Sequence, residues 1–319
     1  MKRMDVVTIG ETMVLFTPNS AGYMRHANQF SMKFGGAETN VAIGLSRLGH
    51  KAGWVSKVGN DEFGKAVVAF IKGEGVDVSQ VKVDLKRPTG VYFKELRRTS
   101  DVRVYYYRKD SAASGLTPED LNEEYIAGSK FLHITGITPA LSDSCASTVL
   151  EAIKLAKKNG VQVVFDPNLR RKLWSEEKAR QVLLELASLA DIVLPGIDEG
   201  KFMFNETDPQ KIANCFINNG SAKVVVKLGA EGAAFFTNET SGVIPGYPVD
   251  QVVDPVGAGD GFAAGLLSGL LNGLNLPDAV KRGNAVGALV TMVEGDVEGL
   301  PEPDEIEALM NSKGEDVER

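Results

Sequence analysis

Asp254-Pro255-Val256-Gly257-Ala258-Gly259-Asp260-Gly261-Phe262-Ala263-Ala264-Gly265 is the stretch from which the fold can be read. Pro255 keeps the chain extended, because its ring disfavours the helical region for Asp254. Gly257-Ala258-Gly259 lets the backbone turn tightly and gather its N–H groups, and the apolar run behind it predicts a helix from about Ala258 to Leu271. A glycine-lined helix start is an anion site, since unpaired N–H groups and the positive dipole end point the same way. Asp260 places one carboxylate in this positive cradle. Two readings follow. Asp260 is a first-turn helix acid in a tightly packed glycine turn, or it accepts a proton from an attacking hydroxyl while the amides stabilise a phosphoryl group in transit.

Two other phosphate motifs fail. A dinucleotide fingerprint needs a third glycine where Phe262 stands, and no Gly-x-x-x-x-Gly-Lys-Ser/Thr occurs in the chain. The Gly257-Ala258-Gly259-Asp260 element closely resembles the second signature of the ribokinase-like (PfkB-type) carbohydrate kinases. In that family the aspartate is the base and the preceding amides form the anion hole.

The chain has 319 residues and a formal net charge of −7, with 43% hydrophobic and 24% charged residues. That length buries a large core, and the composition is that of a globular protein. The negative balance argues against nucleic acid or an anionic membrane as partner. Cys145 and Cys215 lack metal spacing and read as buried free thiols. His26, His50 and His133 are scattered and read as structural. The opening Met1-Lys2-Arg3-Met4-Asp5 runs into a strand with no long apolar stretch, so the cytoplasm is expected.

Strands are predicted at Asp5–Ile9, Thr12–Thr17 and Phe30–Phe34, with Pro18 to Gly22 as a turn-rich link. Gly35-Gly36-Ala37-Glu38-Thr39-Asn40 precedes a helical pattern, Val41 to Gly49. The glycine pair reads either as a plain turn and cap or as room for a ligand against the backbone. It also resembles the first signature of the same kinases, in which the glycines and the asparagine contact the sugar. Ala52 to Val58 is a strand, and Asp61 opens a helix through Ile71. Thr89–Leu96 and Val102–Arg108 form a hairpin joined by Arg97 to Asp101. Strand alternation puts Tyr106 and Arg108 on one face. They are either part of an exposed β surface or a phenol and a planar cation suited to a carboxylate.

From Leu116 onward, helical patterns (117–127, 142–159, 175–188, 208–219) alternate with apolar runs (131–135, 161–165, 191–194, 222–228). This predicts β-α-β units and a mostly parallel sheet, with ligands at the carboxyl ends of its strands. Asp166-Pro167-Asn168-Leu169-Arg170 and Pro195-Gly196-Ile197-Asp198-Glu199 stand there. Lys227-Leu228-Gly229-Ala230-Glu231-Gly232 follows the last of these strands, with Ala234 to Thr237 as hairpin mate. It is a tight turn or, by the resemblance, a nucleotide-phosphate loop. A helix from Pro277 to Val290 brings Asn284 among small residues, where either packing or a flat adenine fits. A short closing helix and a charged tail from Ser312 end the chain.

Both signatures occur in the family's order, so the resemblance spans essentially the whole chain. It implies a three-layer α/β fold with a mostly parallel central sheet flanked by helices. It also implies a single kinase domain over 1–319, with a small β-sheet lid from about 12–34 and 89–108. Carried over position by position, substrate contacts fall on Gly35, Gly36, Asn40, Tyr92, Tyr106, Arg108, Arg170, Asp260 and Asp296. Asp260 is the implied base, with Gly257, Ala258 and Gly259 as anion hole. ATP contacts fall on Asn168, Lys227, Gly229, Glu231, Gly232, Gly257, Gly259 and Asn284, and Glu199 is the implied Mg2+ partner. Arg108 and Arg170 suit a sugar acid gripped from two sides. The segment Gly10-Glu11-Thr12-Met13-Val14 lacks the aspartate that kinases of neutral sugars usually place there. A fructose-type kinase and a non-catalytic sugar sensor are the alternatives, and open lid edges predict a homo-oligomer.

Overall fold

Val6–Ile9 is a run of four apolar or β-branched residues, all buried, as a strand covered on both faces requires. It forms the centre of the larger of two sheets in the computed structural model, which describes residues 4–98 and 101–311. The strands up to the middle of the chain are β1 (Val6–Ile9), β2 (Met13–Pro18), β3 (Phe30–Gly35), β4 (Ala52–Gly59), β5 (Asp77–Asp84), β6 (Val91–Arg98) and β7 (Asp101–Tyr107). Beyond it come β8 (Phe131–Thr135), β9 (Gln162–Asp166), β10 (Ile192–Val193), β11 (Lys223–Lys227), β12 (Gly232–Thr237) and β13 (Ser241–Pro245).

The large sheet has the order β13-β12-β11-β10-β9-β8-β1-β4-β5. From β11 to β5 neighbouring strands are parallel; β12 and β13 complete it antiparallel. Alternation along each strand divides the core in two. Leu132, Ile134, Val163, Phe165, Val224 and Val226 face one apolar layer, whereas Phe131, Val164 and Val225 face the other.

The helices are α1 (Ala37–Arg47), α2 (Glu62–Gly73), α3 (Glu123–Ala127), α4 (Ile137–Leu141), α5 (Asp143–Lys158), α6 (Glu176–Leu189), α7 (Ile197–Phe204), α8 (Pro209–Asn218), α9 (Ala258–Leu271), α10 (Leu276–Val290) and α11 (Pro303–Asn311). Helix α5 shows why one layer forms: Cys145, Val149, Ala152, Ile153 and Ala156 recur at helical spacing and lie in the first core layer. The side chains of Ser142, Ser175 and Asp208 cap α5, α6 and α8 as those residue types should. Helix α9 is apolar almost all round because α1, α10 and the sheet enclose it.

The second sheet has the order β3-β2-β6-β7, built from the four segments expected of it. Its β2–β6 pair is parallel and the others antiparallel. The predicted turn at Thr99-Ser100 and the tail from Ser312 lie outside the described residues.

Several elements differ from expectation. Strand β5 was not anticipated, because its half-exposed valines alternate with Asp77, Ser79 and Lys82 in a pattern that resembles loop; it pairs with β4 at the sheet edge with a register shift. Strand β13 was hidden in the same way by its exposed alternate residues. The helix expected over 117–127 splits into a 3-10 turn, Pro118–Asp120, and α3. Asp120 accepts from Thr117 N–H and Oγ1 and closes the turn early. The short helices α4 and α7 carry too few residues to show a period. Cys145 and Cys215 are free, the first buried and the second half-buried. No helix among the described residues is long and apolar enough to cross a membrane.

Candidate active site

The carboxyl ends of the parallel strands and the inner face of the small sheet enclose a cavity of about 420 Å³. Met13, Tyr92, Lys94, Val104, Tyr106 and Arg108 line it from the small sheet's side. Glu11, Asp166 and Lys227 enter from strand ends, and the first turns of α1 and α9 close it.

Gly257 caps α9 with φ of 81°, a left-handed conformation that glycine adopts without Cβ strain. The first i→i−4 bond of the helix runs from Gly261 N–H to the Gly257 carbonyl at 2.8 Å, so the amides before it are not used by the helix. Of these, the Ala258 N–H makes a long contact to the Pro255 carbonyl at 3.4 Å.

Asp260 lies in this turn and faces the cavity. Asn40 donates from Nδ2 to its Oδ2 at 2.7 Å. Desolvation pushes the Asp260 carboxyl up to about 7, and the charges of Asp166 and Asp296 act the same way, against the Asn40 hydrogen bond and Arg170. A carboxylate so tuned is a base near neutral pH.

The cations of the cavity are not equivalent. Arg108 donates through Nε to Glu11 Oε2 at 2.7 Å and sits 2.6 Å from it through its terminal nitrogen; Ser111 holds the other Glu11 oxygen. Lys94 is paired with Asp254. Lys227 donates to Asp166 Oδ2 at 2.6 Å. Arg170, exposed in the cavity wall, has no carboxylate within 4 Å among the described residues. The expected two-sided grip of Arg108 and Arg170 is therefore uneven: Glu11 already neutralises Arg108, and among the described residues Arg170 alone faces the cavity without a paired carboxylate.

Tyr92 donates to Asp296 Oδ2 at 3.0 Å and stacks on Tyr106, with ring centroids 5.6 Å apart. Burial raises both the Tyr92 phenol and the Asp296 carboxyl. Gly35 lies against the Tyr92 hydroxyl and Asp296, and a Cβ on Gly36 would meet the Glu11 carbonyl. Asn168 stands at the cavity with φ of 34°, its N–H donating to Asp166 Oδ1 at 3.1 Å. Glu199 accepts from the N–H groups of Gly196 at 2.7 Å and Leu169 at 3.3 Å, which fixes its carboxylate at the cavity edge.

A second cavity of about 400 Å³ shares Lys227, Pro255 and Gly259 with the first. Gly229, Gly232, Gly287, Ala288, Phe262, Val249 and Val252 give it flat, mostly apolar walls. Ala258 and Asn284 line it; the Asn284 amide donates to the Ile244 and Pro245 carbonyls at 3.0 and 3.1 Å, holding β13 to α10. Glu231 is exposed and stands outside the residues lining either cavity. The other expected site residues all line one or both cavities.

Sequence reasoning missed Glu11, Glu38, Lys94 and Asp254 as parts of the site. Asp166 was visible as a carboxylate ending a strand. Nothing in the local pattern marked Lys94 or Glu38, whose partners lie 160 and about 100 positions away.

The chain belongs to the pfkB family of carbohydrate kinases, whose match covers residues 3–303. The protein is a carbohydrate kinase of the ribokinase-like fold. It is 42% identical to the 2-dehydro-3-deoxygluconokinase of Bacillus subtilis (strain 168), over 98% of this chain and 97% of that one. It is 35% identical to the 2-dehydro-3-deoxygluconokinase of Thermoproteus tenax, over 97% and 94% of the two chains. The crystal structure of a putative ribokinase II from E. coli in complex with ATP and Mg2+ superposes with a TM-score of 0.88 at 28% identity, covering 96% of this chain and 99% of the other.

Proposed function

We propose that the protein transfers the γ-phosphoryl group of ATP to the terminal hydroxyl of 2-keto-3-deoxygluconate, giving 2-keto-3-deoxy-6-phosphogluconate and ADP. The observation that carries this reading is the pairing, in one cavity, of a carboxylate tuned to about 7 at a helix start with an uncompensated arginine. A neutral sugar asks only for hydroxyl partners, whereas a sugar acid asks for a cation, and Arg170 is that cation. Gly35, Gly36, Asn40, Tyr92, Tyr106 and Asp296 hold the sugar's polyol, with Arg108 and Glu11 as a neutral pair beside it.

ATP lies across the second cavity, adenine on the flat wall near Gly287 and Ala288, phosphates passing Gly229, Gly232 and Lys227 toward Gly259. Asp260, as carboxylate, takes the proton of the terminal hydroxyl. That oxygen attacks the γ-phosphorus in line, the bond to the ADP oxygen breaks, and the Gly257 and Gly259 amides stabilise the oxygens of the phosphoryl group in flight. Lys227 neutralises the phosphates while its bond to Asp166 fixes its ammonium.

Magnesium fits the donor set present. Glu199 and Asp166 are two cavity carboxylates, and Mg2+ takes one or two of these beside phosphate oxygens and waters. Bound there, it would supply positive charge that neutralises the phosphates. The small sheet closes the sugar away from water, which otherwise competes for the phosphoryl group.

A coupled assay of ADP release with 2-keto-3-deoxygluconate, 2-keto-3-deoxygalactonate, fructose and ribose tests the reading. The expected result is a kcat/KM for the keto-deoxy acid at least about 10²-fold above the neutral sugars. A preference for fructose would reject the sugar-acid assignment and keep the kinase chemistry. No ADP release with any sugar would reject the base role of Asp260.

A further inference from the structure

A buried ion pair ties the small sheet to the turn that precedes α9. Lys94 on β6 lines the sugar cavity and pairs with Asp254 through Oδ2, with only 9% and 8% of the two side chains exposed. The other Asp254 oxygen, Oδ1, accepts from Val256 N–H at 3.1 Å. One carboxylate is thus shared between a strand of the small sheet and the backbone leading into Gly257. A second contact of the same strand converges there. Tyr92, two residues before Lys94 and on the same face, holds Asp296, whose carbonyl occupies the space where a Gly257 side chain would stand.

A buried pair of opposite charges contributes little net stability, because desolvation offsets the Coulomb attraction, and an apolar pair would fill the same space. Its distinctive property is geometry: an ammonium and a carboxylate hold one separation, and Asp254 passes that constraint to Val256. We propose that Lys94 and Asp254 are positioning residues for phosphoryl transfer. The pair keeps the amides of Val256 to Gly259 in register with a sugar seated against β6. The inference rests on Gly257–Asp260 being the phosphoryl-transfer site, and it assigns these two side chains no contact with reacting atoms.

The test uses the full chain carrying Lys94→Met with Asp254→Asn, which removes both charges and leaves an acceptor for the Val256 N–H. The expected result is a folded protein whose kcat with ATP and 2-keto-3-deoxygluconate falls about 10–100-fold while KM for the acid stays within about threefold. Amide hydrogen exchange over Val256 to Gly259, measured without ligand, should quicken in the same variant. Lys94→Arg should recover most of the turnover that Lys94→Met loses. Wild-type kcat in the folded double variant, or a loss confined to KM, overturns the proposal.

Should the double variant not fold, Asp254→Glu keeps the charge pair but lengthens the arm. It should lower kcat at unchanged melting temperature, and full turnover there overturns the proposal equally. The exchange measurement needs no substrate. Unchanged exchange therefore counts against the coupling, whereas a wild-type enzyme inactive on the acid counts against the substrate assignment.

Discussion

Asn40 donates to Asp260 at 2.7 Å across 220 positions of chain, joining the first turn of α1 to the first turn of α9. Its hydrogen bond opposes the burial that raises the Asp260 carboxyl to about 7. Asn40→Ala removes this stabilisation of the charged form, so the base should titrate higher still. The acid limb of the kcat–pH profile should move up by about one unit, with turnover down about fivefold near pH 7 and largely restored near pH 9. An unmoved midpoint would show that Asn40 does not tune the base.

Asp260→Asn should lower turnover by about 10²–10⁴, the range of a positioned general base, with KM for the sugar little changed. The same substitution has a stability signature. An acid raised from 3.8 to about 7 holds its proton longer in the folded state than in the unfolded one. Stability therefore falls as pH climbs between those values and levels above them, so the cost of Asp260 is fully present above pH 7 and absent below about 4. The asparagine variant should gain melting temperature over the wild type at pH 8 and none at pH 4. Parallel melting curves at both pH values would contradict the raised value.

Arg170→Ala should separate acid from neutral substrates. Because no described carboxylate compensates Arg170, its removal leaves no charge unpaired in the fold. At pH 9, where Asp260 is ionised even without the Arg170 charge, activity on 2-keto-3-deoxygluconate should drop about 10²-fold or more in kcat/KM, with any activity on neutral sugars within about threefold of wild type. Equal losses on both would remove Arg170 from carboxylate recognition.

Glu38 is buried at the start of α1, where Thr135 and Thr138 donate to its Oε1 at 2.6 and 2.8 Å. Burial raises its carboxyl, and Oε2 has no hydrogen-bond partner among the described residues. Glu38→Gln keeps an acceptor for both threonines and removes the ionisable group. Its melting temperature should equal or exceed that of the wild type at pH 8, with the difference shrinking toward pH 4. Glu38→Ala leaves the buried Thr135 hydroxyl without its acceptor, while Thr138 keeps its bond to the Ile9 carbonyl at 3.2 Å, and should cost about 1–3 kcal/mol by denaturant unfolding. A glutamine variant less stable at pH 8 than at pH 4, relative to wild type, would show that the carboxyl is ionised in the fold.

Much of the fold is legible in the sequence. Strands covered on both faces have no polar alternation to disguise them, so β1, β8, β9 and β11 stood out as short apolar runs. Helix α9 was predicted from Ala258 to Leu271 and spans those residues, because a glycine turn marks its start sharply. Edge strands are harder. In β5 and β13 one face meets solvent, and the sequence there reads as loop until a neighbouring strand supplies the hydrogen bonds. Arg108 shows the corresponding limit within the site. Its type suggested a carboxylate ligand, but Glu11, 97 positions earlier, already holds it.

What the chain alone determined is the local chemistry: a turn whose amides gather, a carboxylate placed among them, glycines where backbone approaches closely, and the β-α alternation that builds a parallel sheet. These depend on neighbours in sequence, whose spacing is fixed by covalent geometry. Only the tertiary structure decided which charges remain available. Among the described residues Lys94, Arg108 and Lys227 each met a carboxylate and Arg170 did not, because pairing depends on distances across the cavity that loop lengths and sheet order set and that no local pattern records.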